Sequence, residues 1–402
     1  MKVLQINTVC GYGSTGGICV DLATYLVDNG HECKIAYGQG TTTYKSAYKI
    51  GTKFENHLHN LLSRIVGKQG YFTHNGTKNL IKEIIAYRPD IIHLHNLHGN
   101  YLNFKLLFNF LNEYNMPVVW TLHDCWAYTG KCAHYTEVQC YKWIIECNNC
   151  PQVRKYPSSI FFDRSNSSYV DKKNYFTSPR KMTIVPVSNW LASEVNKSFL
   201  NKYPIKPIYN WVDHNTFKAT QENGRDSYGL RENDFLVLVV SASWTEEDAK
   251  YRDLVKLSRL ITLGTVIIMV GKLIGITKLP ANVIHIPYVQ NKLKMAEIYA
   301  MANVYVHLSV EDTFGKVIAE ALSCGTPAIV YNSTAYPEIV GPGCGFVVEK
   351  GDVLQVSLAI VKVQIAGKKS FSIKCREFVV KNFDSDQKLL ETLNLYNQMI
   401  LS

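Results

Sequence analysis

Short apolar runs alternate with stretches whose apolar residues return every three or four positions, which predicts strands followed by helices. LQIN (4–7) reads as a strand. The glycine-rich CGYGSTGG follows, and residues 18–29 carry helical spacing that Gly30 ends. CKIAYG (33–38) predicts a second strand. Residues 54–67 and 78–87 predict helices, Ile91–Leu94 a strand entering HNLHGN, residues 101–113 a helix and MPVVWTL (116–122) a buried strand. Residues 123–160 break the pattern. They are rich in Cys, Trp, Tyr and Asn, and read as an insert at the carboxyl end of the strand finishing at Leu122. The alternation returns with MTIVPVS (182–188), a helix to about residue 199 and a short strand near 205–208.

A second series begins near residue 210 with a polar linker over 214–234. FLVLVVSAS (235–243), TVIIMVG (265–271), VIHIP (283–287), VYVHLS (304–309) and PAIVY (327–331) predict strands, with helices near 250–262, 292–301 and 315–323. Residues 385–401 form a last amphipathic helix. Alternating strands and helices build parallel sheets with right-handed crossovers. The expectation is an α/β chain of two Rossmann-like domains, 1–209 with its Cys-rich insert and 210–384, with the helix at 385–402 packing back towards the first. Ligands of such sheets bind beyond the carboxyl ends of the strands, so a cleft between facing domains is expected.

Composition narrows the class. At 402 residues, with 47% hydrophobic and 19% charged, the chain can bury two cores and is not disordered. No apolar run reaches the ~18 residues of a membrane span, and MKVLQINTVCGYG is too short in its apolar stretch for a signal peptide. The expected location is the cytoplasm. The formal net charge of +10 suits anionic partners, although a solvated basic surface accounts for it equally. No long Lys/Arg block or nucleic-acid motif is present, so nucleic acid is not an expected partner. In a reducing compartment the eleven cysteines are not disulfides by default. Five fall between Cys125 and Cys150, which points to a metal or a local structural role.

Gly11-x-Gly13-x-x-Gly16 fits a turn in which backbone approaches phosphate at a helix N-terminus. A tight turn without a ligand uses the same glycines. No acidic residue ends the second strand, which disfavours a nicotinamide cofactor. The segment VHLSVEDTFGKVIAEALSCGTPAIV (306–330) places Asp312 after a strand and Glu320 in the second turn of the next helix. The two carboxylates can accept hydrogen bonds from sugar or ribose hydroxyls. Alternatively Asp312 is a helix cap and Glu320 a surface residue.

D-x-F-G-x-x-x-x-E-A-L-S-x-G-T-P resembles the E-x7-E signature of glycosyltransferase family 4, of GT-B fold. GHE (30–32), PDIIHLHNLHG (89–99), PVVWTLHD (117–124) and YNWVD (209–213) fall where that family has counterparts, so the resemblance covers almost the whole chain. More narrowly, HDCWAYTG, the Cys-rich stretch ending CPQ and EDTFGKVIAEALSCGTP are similar to bacterial colanic-acid, capsule and O-antigen glycosyltransferases. The resemblance implies a retaining, metal-independent transferase using a UDP- or GDP-sugar. The acceptor it suggests is a lipid-linked oligosaccharide at the inner membrane face. It assigns Glu320 to the ribose and Asp312 to the donor sugar. Backbone N–H groups around Thr313, Phe314 and Gly315 would touch that sugar, Gly16 and Gly17 would face the diphosphate, and His123 would stand at the reaction centre.

Three departures qualify it. Asp312 stands where the family often has Glu, with Glu311 adjacent. Trp211 replaces the glycine of the interdomain motif. The phosphate-clamping basic pair is not clean: within SASWTEEDAKYRD (241–253), Ser243, Lys250 and Arg252 are the candidates, with Lys316 in reserve. No metal-binding D-x-D pattern is read in the chain, so Lys, Arg and helix dipoles are expected to neutralise the leaving diphosphate.

His93 and His95 would share one face of a continuous strand, with His98 on the other. No third metal ligand is evident, so at most one is expected to touch the acceptor. Cys132, Cys140, Cys147 and Cys150 make C-x7-C-x6-C-x2-C. The last knuckle suits structural zinc, with free or paired thiols as the alternative. Trp126, Tyr128, Tyr135 and Trp143 line an acceptor site or form the insert's own core. Three rivals stand beside the transferase: a nucleotide-sugar epimerase, a non-catalytic nucleotide-sugar-binding scaffold and a nicotinamide oxidoreductase.

Overall fold

The computed structural model describes residues 1–219 and 224–401. Residues 220–223 of the expected linker, and residue 402, lie outside the described residues. The chain divides into two compact units, Met1–Tyr209 joined by the segment from Leu389, and Asn210–Lys388.

The first unit runs β1 (Lys2–Asn7), α1 (Gly13–Asp28), β2 (Glu32–Tyr37), β3 (Ala47–Lys49), α2 (Lys53–Val66), α3 (His74–Tyr87), β4 (Ile91–Leu94), α4 (Phe104–Tyr114), β5 (Val118–Leu122), α5 (Ser165–Phe176), β6 (Met182–Pro186) and α6 (Asn189–Asn196). Its strands are all parallel, in the order β3-β2-β1-β4-β5-β6. Every residue of β4, β5 and β6 is buried, as expected of strands covered on both faces.

The second unit runs β7 (Phe235–Trp244), α7 (Ala249–Leu260), β8 (Thr265–Leu273), β9 (Val283–Ile286), α8 (Lys292–Met301), β10 (Val304–His307), α9 (Lys316–Ser323), β11 (Ala328–Tyr331), α10 (Tyr336–Ile339), β12 (Gly345–Val348), α11 (Val353–Ala366) and α12 (Lys369–Phe383). The sheet order is β12-β11-β10-β7-β8-β9, the first sheet's connectivity repeated. Val237, Ile267, Val304 and Ile329 of four neighbouring strands, with Leu254, Leu257 and Ile360 of α7 and α11, are fully or almost fully buried in one apolar core. In each sheet the order reverses beside the first strand, between β1 and β4 and between β7 and β10. Loops leaving two such strands diverge and open a crevice at their carboxyl ends.

α13 (Ser385–Leu401) starts in the second unit, and from Leu389 onward it belongs to the first.

Three expectations are corrected. α1 starts at Gly13, so Gly16 and Gly17 lie within its opening turns rather than ahead of it. The Gly11 N–H donates to the Gly16 carbonyl at 2.9 Å, which folds the glycine-rich turn onto the helix start. Residues 205–208 form no strand. Ile205 makes one isolated bridge to Ile184, because Pro204 and Pro207 lack the N–H a ladder needs. Beyond β11, β12, α11 and α12 complete the second unit without having been foreseen.

Candidate functional site

In the second unit the carboxyl ends of β7 and β10 carry the predicted charged residues. Gly315 precedes α9 with φ +85°, and a Cβ there would stand 2.7 Å from the Ile318 Cδ1, so glycine is required. The helix opens at Lys316 with no side-chain cap. Asp312 is spent locally: it accepts the Thr313 N–H at 2.7 Å and the Phe314 N–H at 3.4 Å. Both bonds lie in the turn ahead of α9, so Asp312 is not its cap, and they occupy two of the N–H groups expected to meet a sugar.

Glu320, half-buried, accepts from the Tyr299 hydroxyl at 3.2 Å. Burial raises its carboxyl above the ordinary range, opposed by Lys316, by that hydrogen bond and by Lys292. Lys250 donates to Ser241 Oγ at 2.7 Å and stands 3.6 Å from Asp248. The buried His307 at the end of β10 takes 2.8 Å contact with the Tyr305 hydroxyl. Burial lowers its imidazole to about 4, with Asp312 opposing and Lys250 adding to the shift. Lys250 and Asp312 therefore act on one imidazole, and Lys316 acts on Glu320. Ser243 sits past an irregularity in β7, its carbonyl accepting from Ser241. Arg252 is exposed and donates to the Glu247 carbonyl, which leaves Lys250 as the better-placed cation of the two.

The first unit presents a different set. Gly16 packs so closely that a Cβ would meet Val9 Cγ2 at 3.0 Å, whereas Gly17 faces open space. Tyr12 precedes α1 and provides no side-chain cap. At the ends of β4 and β5, His95 Nδ1 is 3.0 Å from His123 Nε2, and His95 Nε2 is 3.0 Å from Gln5 Oε1. The Gln5 amide nitrogen donates to the Cys19 carbonyl, so its oxygen is the acceptor towards His95. His95 must then carry its proton on Nε2, and His123 donates through its own Nε2. His93 lies 4.0 Å from the His95 ring centroid and bonds Thr121 and Tyr396. Burial lowers His93 to about 3 and His95 well below the usual range, so both are neutral.

His98 makes a 2.6 Å bond to Asp124 and a 2.8 Å contact to Tyr156. Burial alone would raise the Asp124 carboxyl. The charge and hydrogen bond of His98, the charge of His134 and the Trp126 N–H outweigh it and hold the group down to about 2. His95, His98, His123, Asp124 and Trp126 line one small pocket. Sequence reasoning singled out His123 but missed the Gln5 and Asp124 partnerships; the spacing of His93 and His95 was the only signal of the stack.

The insert packs on itself. Tyr128, Tyr135 and Trp143 are almost wholly buried against one another and form its core, whereas the equally buried Trp126 packs on His98, Phe104 and Phe176 and lines the histidine pocket. Cys132, Cys140, Cys147 and Cys150 line one small cavity there, and all eleven cysteines are free thiols. Among the described residues no group of three or more His, Cys, Asp or Glu is arranged to hold a metal ion. Three of the four sulfurs have local partners: Cys132 hydrogen-bonds Cys150, and Cys147 accepts the Gly130 N–H at 3.1 Å. One D-x-D spacing does exist, Asp384-Ser385-Asp386. Asp384 is occupied, pairing with His214 at 2.8 Å and capping the Gln387 N–H.

Two parallel sheets of identical connectivity, one with carboxylates and cations at its switch point and the other with imidazoles, are those of a GT-B glycosyltransferase. The sequence model of Glycosyltransferase Family 4 matches residues 18–216, and that of Glycosyl transferases group 1 matches residues 221–370. With both domains in order along most of its length, the chain belongs to the family 4 glycosyltransferases. It is 25% identical to the putative colanic acid biosynthesis glycosyl transferase WcaC of Escherichia coli K12, over 99% of this chain and 100% of that protein. The sucrose-phosphate synthase of Thermosynechococcus elongatus superposes with a TM-score of 0.74 at 14% identity, covering 100% of this chain and 99% of that one. Anabaena HepE in complex with UDP gives 0.67 at 16% identity, covering 99% and 100%. No helix among the described residues is long and apolar enough to cross a membrane.

Proposed function

We propose that the chain transfers a hexose-type sugar from a UDP- or GDP-sugar, with retention at the anomeric carbon and without a catalytic metal. The acceptor is a lipid-linked oligosaccharide of cell-surface polysaccharide synthesis, met at the cytoplasmic face of the inner membrane. The observation that carries this reading is the pairing of Glu320 with Tyr299 beside the uncapped start of α9 and Lys316. A half-buried carboxylate held by one hydroxyl keeps lone pairs for a ribose diol. Within the second unit, Lys250, Lys316 and the N-terminus of α9 are the groups that would neutralise a departing diphosphate. His123 would stand at the donor sugar, its orientation fixed through His95 by Gln5.

The likeness to WcaC supports the polysaccharide setting, and the UDP complex of HepE makes UDP-sugars the first donors to try. A second reading, a nucleotide-sugar-binding scaffold without transfer, draws on the engagement of Asp312 with its own loop. A panel of UDP- and GDP-sugars scored by thermal shift and slow hydrolysis, on wild type and Glu320→Ala, separates them. Stabilisation and sugar release by one donor, both lost in the variant, is the expected result. Stabilisation without hydrolysis favours the scaffold, a changed epimer favours an epimerase, and no stabilisation by any donor overturns the nucleotide-sugar assignment.

A further inference from the structure

Helix α2 is inside out. Its buried residues are Asn56, His59 and Ser63, all polar. On the opposite side Phe54, Leu58 and Leu61 are 75%, 42% and 55% exposed, with Ile65 continuing the stripe at the i, i+4, i+7, i+11 spacing of one helix face. The inversion is built in. Asn56 donates to the Gly38 carbonyl at 2.9 Å, and Asn100 ties Ser63 and Asn60 together. His59 accepts the Gly70 N–H at Nε2 and bonds Thr73 at 2.6 Å. A Thr52–Glu55 capping box fixes the helix start. The buried polar face holds α2 to the first unit, and Phe54, Leu58 and Leu61 on the opposite face stay exposed.

A second apolar element adjoins the C-terminal end of the helix. The Ile160 N–H donates to the Arg64 carbonyl at 2.8 Å, and the Phe162 carbonyl lies against Gly67. Ile160, Phe161 and Phe162 are 56%, 69% and 48% exposed. The rim is basic. Lys53 and Arg64 flank the stripe on α2, and the Arg164 guanidinium stands 5.3 Å from the Phe162 ring centroid. Across residues 52–68 and 153–164 there are six Lys or Arg and two Asp or Glu, so much of the chain's positive excess is concentrated here.

We propose that α2 and the Ile160–Phe162 loop are a docking face for an anionic phospholipid bilayer. The helix lies in the plane of the interface. Phe54, Leu58, Leu61 and Phe161 enter the acyl boundary, while Lys53, Arg64, Arg154 and Arg164 meet headgroup phosphates. A continuous apolar strip edged by cations matches a lipid surface. A second copy of the chain would set the same basic rims against each other. The proposal deepens the lipid-linked acceptor reading, yet its readout is vesicle binding, which needs neither donor nor acceptor.

The test uses the full chain, sedimented with vesicles of phosphatidylcholine alone or mixed with phosphatidylglycerol. Wild type is expected to bind the mixed vesicles, more weakly as salt rises, and to leave the neutral ones free. Phe54→Ser/Leu58→Ser/Leu61→Ser should bind at least ~10-fold more weakly with unchanged thermal stability, since the residues replaced are exposed. Arg64→Glu/Arg164→Glu should do the same. Phe161→Trp in an otherwise wild-type chain should show blue-shifted emission on the mixed vesicles. Leu354 and Leu358 of α11, 58% and 54% exposed on a helix with an apolar inner face, provide the control, and their serine variants should bind normally. Failure of wild type to bind, equal binding to neutral vesicles, or loss only in the α11 variants would overturn the proposal. So would a wild-type dimer that the α2 variant disperses.

Discussion

The two sheets share one connectivity and differ in the chemistry at the point where their strand order reverses. In the second unit that point carries carboxylates and amines: Asp312, Glu320, Lys250 and Lys316. In the first it carries imidazoles that burial keeps neutral, and a carboxylate, Asp124, already matched to His98. A frame repeated twice thus carries two kinds of chemistry. Charge suits the grip on a nucleotide diphosphate, and neutral, hydrogen-bonded imidazoles suit the positioning of an uncharged sugar.

The sharpest way to break this contrast is to remove one residue from each side. Glu320→Ala is expected to weaken donor binding by about 2–3 kcal/mol, a loss of ~30- to 160-fold by calorimetry. His123→Ala should reduce turnover by ~100-fold while donor affinity changes far less. The reverse pattern would exchange the roles of the two units.

Acid should act on them in opposite directions. His59, lowered by burial to about 3, joins His93 and His95 as neutral groups in the folded first unit. Unfolded histidines protonate below about 6.5, so the unfolded state takes up protons first and stability falls as pH drops from about 6.5 towards 3. His59 and His93 each contribute on the order of 5 kcal/mol across that window, and His95 acts in the same direction. Glu320 has a raised carboxyl, so the folded state takes up its proton first and that single term favours folding as pH falls. Melting curves from pH 7 to pH 4 should show an overall loss, and Glu320→Gln, whose gain over wild type shrinks with falling pH, exposes the opposing term.

The same shift predicts donor binding. The charged acceptor is lost at a higher pH than for an ordinary glutamate, so affinity should weaken early on acidification. Glu320→Gln should be weaker throughout and flat across the same range. The smallest effect concerns the insert. The hydrogen bond from Cys132 lowers the Cys150 thiol and raises that of Cys132, and burial raises Cys147, so Cys150 should alkylate faster than either near pH 7. Equal protection of all four thiols by added zinc would show instead that the insert closes into the tetrathiolate its spacing suggested.

Strands were the most legible part of the fold, because buried parallel strands are runs of Val, Ile and Leu that a sequence displays directly. Helix α11 was not, since its apolar residues cover both its faces and no period stands out. Residues 205–208 looked like a strand by content, and two prolines decided otherwise. Glu320 and His123 could be singled out from the motifs around them. Their partners could not: Tyr299 is 21 positions from Glu320, His95 is 28 from His123, and the Gln5 that orients His95 is 90 further back. Such pairs are made by the sheet, and no local pattern encodes them. Helix α2 was visible as a helix, but its pattern cannot tell which face is inward. That depended on Gly38, Gly70 and Asn100, which supply or hold its polar partners.

Helix α13 has a consequence for how the chain is made. Tyr396, which bonds His93, and the rest of the segment from Leu389 are synthesised only after the whole second unit. Domains that are continuous in sequence can fold in turn as they emerge from the ribosome. Here the unit translated first is the one finished last, and its histidine stack waits for a tyrosine some 300 residues downstream. A fragment cut at residue 209 would be a domain with a wall missing rather than a minimal version of it.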